Sequence, residues 1–120
     1  MTQIQNSKHY DLEDRTFKFA KEIIGLTKKL PKNIANIEII KQLVRSAGSV
    51  GANYIEANES LSKKDFIMRI KICRKETKES IYWLKLLEIG NDKEKEAQNI
   101  LIQEATELMK IFGAILEKSK

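Results

Sequence analysis

From Asp11 onward the apolar positions recur with the period of an α-helix, and polar punctuation divides them into four runs. In the first, Phe19, Ile23, Leu26 and Leu30 are spaced four, three and four apart, and Phe17, Ala20 and Ile24 widen the stripe. Asp11 is placed to cap this helix, with Glu13 and Asp14 in its first turn, and Pro31 stops it after Lys28 and Lys29. After the short loop KNIAN a second helix is predicted over about 36–57, its core stripe being Ile40, Leu43, Ala47, Val50 and Tyr54. Ser62, followed three residues later by Asp65, is a capping-box-like opening for a third. Its inner positions are Phe66, Ile70, Cys73, Thr77, Ser80, Leu84 and Leu87, and Gly90-Asn91 is expected to end it and cap the next helix. The fourth carries Ala97, Leu101, Ala105, Leu108, Phe112 and Ile115.

Four amphipathic helices on short loops predict an all-α fold, an antiparallel up-down-up-down four-helix bundle. Residues 1–10 (MTQIQNSKHY) are polar and aperiodic and are expected to form a flexible N-terminal arm, leaving 11–120 as a single domain. A length of 120 residues leaves no room for separate catalytic and binding domains. One Pro and five Gly are too few for a many-stranded β fold. No apolar run is long enough to span a bilayer and the N-terminus lacks a signal pattern, so a soluble, cytoplasmic protein without membrane contact is expected.

Candidate catalytic chemistry is thin. One Cys (Cys73) and one His (His9) argue against a zinc site or a Ser-His-Asp triad. Glu76 and Glu79 have no second carboxylate or His to work with, a four-helix di-iron site would need two Glu-x-x-His pairs, and phosphate-loop glycine patterns are absent. Cys73 falls on the inner stripe, where a small buried thiol is expected. The sequence thus predicts no enzyme, no cofactor and no metal.

Charge is more informative. The chain carries +5, and residues 61–90 hold eight basic and four acidic residues, most of the excess. On a helical wheel Lys64, Lys71, Arg74, Lys75, Lys78 and Lys85 fall inside an arc of about 100°, with Tyr82 among them. Asp65 is spaced to pair with Arg69 and Glu79 with Lys75, but most of the stripe has no acidic partner one turn away. A row of cations with an aromatic between them suits a phosphate backbone, RNA or DNA, with the ring offered to a base. A solvated helix face, or a docking surface for an acidic protein partner, would look the same in sequence.

The segment RSAGSVGANYIEAN is unusual in another way. Gly48 and Gly51 interrupt a helix at a cost of ~1 kcal/mol each against Ala. With Ser49 and Ala52 they make a small-residue side suited to close approach, by another subunit or by a helix of the same chain. Arg45, Asn53 and Glu56 turn away from the core nearby and are candidates to pair across a subunit contact, which Ile72 and Trp83 would extend.

These residues carry a resemblance. QLVRSAGSVGANYIEA (42–57) and KKDFIMRIKICRKETKESIYWL (63–84) resemble the second and third helices of small bacterial four-helix-bundle proteins. That family is encoded in intervening sequences of large-subunit ribosomal RNA genes and is often labelled ribosomal. The likeness extends over about 11–115, and the family's recurring polar positions fall on Arg45, Asn53, Glu56 and Glu79. The chain departs from it at Ala57, where many members have Gly. The resemblance implies a ring-like homopentamer. It also implies likeness to the accessory protein of diversity-generating retroelements, a basic pentamer that binds a reverse transcriptase and its RNA template. By that analogy the expected role is a non-catalytic nucleic-acid or ribonucleoprotein accessory factor, and a ring would multiply the positive charge fivefold.

Overall fold

In a computed structural model, which describes residues 3–120 and the side chains from residue 12 onward, the chain forms α1 (Gln3–Thr27), α2 (Ile34–Asn58), α3 (Lys63–Leu86) and α4 (Asp92–Lys118). There is no strand among the described residues. Three of the helices open on side-chain caps: Asn33 accepts from the Asn36 amide (2.9 Å), Ser62 from that of Asp65 (3.0 Å) and Asn91 from that of Glu94 (2.9 Å). Each satisfies a backbone donor that the first helical turn leaves without a partner.

The helix ends depart from the sequence expectation in three places. α1 runs back to Gln3, so Asp11 lies within it rather than at its cap, and residues 3–10 are helical. Once a helix is nucleated each added residue needs only one hydrogen bond, and this segment has neither Pro nor Gly to stop it. An arm over residues 1–2, and the side chain of His9, lie outside the described residues. α2 begins at Ile34, capped by Asn33, and Asn36 is buried inside its first turn. α3 ends at Leu86, short of Gly90. There the Glu88 amide donates to Asn36 Oδ1 (2.8 Å) while Asn36 Nδ2 donates to the carbonyls of Glu88 (3.1 Å) and Pro31 (2.9 Å). Asn36 takes over backbone groups that would otherwise continue α3, and ties the α1–α2 connection to the α3–α4 one.

Successive helices meet start to end. Asn58 near the end of α2 donates to Glu13 of α1 (2.9 Å), and Arg69 early in α3 donates to Asn53 late in α2 (2.9 Å). Gln98 early in α4 donates to the Leu84 carbonyl late in α3 (2.7 Å). Arg15 closes the bundle with a two-pronged bond to Glu104 of α4 (2.8 and 3.0 Å). The core holds Phe19, Ile23, Leu26, Leu43, Val50, Tyr54, Ile70, Leu84, Leu101, Leu108 and Phe112, all on the stripes read from sequence. Phe17, 64% exposed, and Ile24 do not belong to it: seven residues apart, they share a flank of α1 facing solvent. The α2–α3 seam is built from small polar groups. Ser46 and Ser80 share a buried hydrogen bond (2.8 Å), Thr77 bonds the Cys73 carbonyl (2.7 Å), and each buried hydroxyl is thereby satisfied. No described helix is long and apolar enough to cross a membrane.

Candidate nucleic-acid interface

α3 is held on two sides, by α2 and α4, which leaves one long side to solvent. Lys64, Lys71, Arg74, Lys75, Lys78, Tyr82 and Lys85 are all exposed there. None of the six cations forms an ion pair among the described residues. Lys71, Arg74, Lys75 and Lys78 line a shallow groove of about 420 Å³ against Leu116 of α4. Arg74 lies over Gly113, where an added Cβ would stand 3.7 Å from its Nε. Lys71 also borders a second groove, of about 540 Å³, lined with Lys63, Lys64, Asp65, Ile67 and Met68 near the start of α3. Five of the six cations, all but Lys85, therefore border one or other of two adjoining shallow depressions.

The side of α3 turned to α2 is wired differently. Arg45 of α2 bonds both Glu76 (3.2 Å) and Glu79, and Trp83 Nε1 donates to the same Glu79 oxygen (2.9 Å). The Trp83 hydrogen bond, then Arg45, hold the Glu79 carboxyl below its usual range. The Glu79 hydrogen bond in turn raises Arg45. Arg69 bonds Asn53 Oδ1, not Asp65, and Asn53 donates to the Ser49 carbonyl (2.9 Å) and hydroxyl (3.0 Å). Lys75, spaced to pair with Glu79, acts on it only weakly beside Trp83 and Arg45. Trp83 is half-buried and holds the Tyr82 ring in a T-shaped contact, centroids 4.9 Å apart at 72°. Cys73 lies in the core, where burial pushes its thiol up to about 12, so it is a neutral thiol at neutral pH.

The candidate contact residues of α2 separate into two groups. Arg45 and Asn53 have partners within the chain, in α3 and α2. Gly48, Ala52 and Glu56 face solvent. The two glycines separate as well: a Cβ on Gly51 would stand 3.0 Å from Thr16 Oγ1, whereas one on Gly48 meets nothing within 4 Å. Gly51 thus serves the α1–α2 approach, while Gly48 has no neighbour among the described residues to explain it. Ala57, the departure from the family pattern, is buried and leaves α2 to run one residue further, to Asn58. Sequence reading missed Gly113, Leu116 and the Arg69–Asn53 bond. Only an α3–α4 register, fixed by packing, places the first two beside Arg74.

Residues 8–114 match the family model of the 23S rRNA-intervening sequence protein. The chain is also similar to a protein of unknown function from the S23 ribosomal protein family of Bacteroides thetaiotaomicron VPI-5482. That crystal structure superposes with a TM-score of 0.80 at 33% identity, over 92% of this chain and 98% of the other. Among curated proteins there is no match.

Proposed function

Because the chain belongs to the 23S rRNA-intervening sequence protein family, we propose that it acts as that family's resemblance implies. In this reading it is a non-catalytic, homo-oligomeric basic scaffold that binds nucleic acid, or a ribonucleoprotein, through phosphate contacts. The observation that carries the reading is the row Lys71, Arg74, Lys78 and Lys85, exposed and without ion pairs among the described residues, on a helix whose other side has Glu76 and Glu79 paired with Arg45 and Arg69 bonded to Asn53. Like charges spaced a turn apart repel one another and disfavour the helix slightly. A phosphate chain relieves that repulsion. With contacts to phosphates alone the protein has little basis for choosing among sequences.

Self-assembly is supported by the outer side of α2. Gly48 costs helix stability without a packing gain among the described residues, and Ala52 and Ile55 lie exposed around it. A second copy approaching there would supply the missing gain. Five copies is the number the resemblance implies, and each multiplies the charge offered to a polyanion.

Fluorescence anisotropy of labelled single-stranded RNA and duplex DNA across a salt series, with light scattering on the same sample, tests both halves. The expected result is binding by an assembled particle that falls steeply with salt, the slope giving the number of phosphates neutralised. No binding at low salt overturns the nucleic-acid reading. An acidic protein partner, recovered in a pull-down that survives nuclease, would then take its place. Gly48→Leu should reduce the particle's mass with helicity retained; a variant of unchanged mass refutes the placement of the contact.

A further inference from the structure

We infer that the polyanion taken by this surface is a single strand, with an unpaired base stacked on Tyr82; the inference rests on the nucleic-acid reading above. Tyr82 is 58% exposed and stands near the C-terminal end of the cationic row, with Lys78 one turn before it and Lys85 one turn after. A lone exposed tyrosine would be an ordinary surface residue. This one is braced: Trp83 holds its ring in a T-shaped contact, the Trp83 indole is tethered to Glu79, and Glu79 is held by Arg45 of the neighbouring helix. Three residues on two helices thus brace an aromatic ring that does not contribute to the core. A ring fixed before binding loses less freedom when a partner lands on it.

Flanking cations restrict what that partner is. A base in the middle of a duplex is covered on both faces by its neighbours and offers a protein only its edge, so a protruding ring between two phosphate-binding cations has nothing to stack on. In a single strand the backbone can follow the lysines while one base turns onto the ring, and such stacking tolerates any base because each has a π-face. The cationic row from Lys64 to Lys85 extends about 32 Å at 1.5 Å per residue, nearly all of it on the Lys64 side of Tyr82, long enough there for several nucleotides leading up to the stacked one. The adjoining grooves beside Lys71 continue the same path.

The test compares wild type, Tyr82→Ala, Tyr82→Phe and Lys78→Ala for binding to an unstructured labelled RNA of about 20 nucleotides and to its duplex, at equal salt. Circular dichroism checks that each variant keeps its helicity. Expected is a preference for the single strand and a loss of about tenfold in Tyr82→Ala on the single strand alone. Tyr82→Phe should keep wild-type affinity, because the ring and not the hydroxyl is used, and Lys78→Ala should weaken both ligands. Equal affinity for the two forms, with Tyr82→Ala unchanged on both and Lys78→Ala weakened on both, overturns the single-strand inference and leaves the basic scaffold standing. Failure of wild type to bind either form overturns the scaffold and this inference together.

Discussion

On the side of α3 turned to α2, Glu76 and Glu79 meet Arg45, Arg69 meets Asn53, and Trp83 donates to Glu79. On the side turned to solvent, Lys64, Lys71, Arg74, Lys75, Lys78 and Lys85 stand without an ion pair among the described residues. One helix thus has a side whose charged groups are bonded within the chain and a side whose charged groups are not. The difference teaches how to read a basic helix. Positive charge that finds its counter-charge within the chain serves the fold, as Arg45 does by neutralising Glu76, which is only 8% exposed. Positive charge can also serve the fold without a counter-charge, as Arg69 does on Asn53 and Lys32 on the Thr27 and Leu30 carbonyls, whereas the solvent-side cations of α3 have neither kind of partner among the described residues.

The comparison is broken most severely by emptying the solvent side. Replacing Lys71, Arg74, Lys78 and Lys85 together with Ala should cut RNA affinity about a hundredfold near physiological salt and lower the log–log salt slope by about 3, at ~0.7 per phosphate contact. Thermal stability should stay close to wild type, since relieved repulsion and the better helix propensity of Ala offset the lost Arg74 side chain over Gly113; anisotropy and calorimetry on one preparation read both. A smaller and opposite pattern is expected from Arg45→Ala. Leaving the nearly buried Glu76 carboxylate without its hydrogen-bonded partner should cost about 1–3 kcal/mol, seen as a lower urea midpoint, with RNA affinity little altered per folded molecule.

The gentlest perturbation is pH. Glu79 is held below its usual 4.5, so its contribution to stability is fully present above that value and is lost as pH falls through the depressed folded-state value. Urea midpoints for wild type should therefore decline on acidification below about pH 5, whereas Glu79→Gln should start lower at neutral pH and decline less. Parallel curves for the two proteins would mean that the Arg45–Glu79–Trp83 chain adds nothing to the fold.

Much of this molecule was legible as pattern. The core stripes and the caps at Ser62 and Asn91 follow from helical period and side-chain chemistry, which are local properties, and so does the solvent side of α3. What local pattern does not carry is which helix lies beside which. Phe17 and Ile24 look like core on a wheel, yet no neighbouring helix covers their flank. Arg69 is spaced for Asp65 and finds Asn53 across a helix boundary instead. Asn36 reads as a polar start of a helix and is in fact buried, with three hydrogen bonds to the ends of two loops. Arg45 and Asn53 were candidates for a second subunit because their partners in α3 are 16 to 34 residues away. Charge and spacing name the groups that need partners; only the packed register says where they are.

The Asn36 clamp makes the two ends of the bundle mechanically unlike. At one pole it staples both neighbouring connections together, and Asn33 adds a bond to Glu88 (2.8 Å). At the other pole the α2–α3 connection passes through Leu61, 98% exposed, and the hydrogen bonds of residues 59–62 are local: Glu59 and Ser60 bond back to the last turn of α2 and Ser62 caps α3. Backbone amides should therefore exchange with solvent deuterium slowly around Asn36 and quickly around Leu61, and a protease should nick the chain first at the unstapled pole. The same asymmetry marks the junction of Ser60 and Leu61, between the C-cap of α2 and the N-cap of α3, as the place where a fluorescent peptide or an affinity tag can be spliced in without unseating the helices.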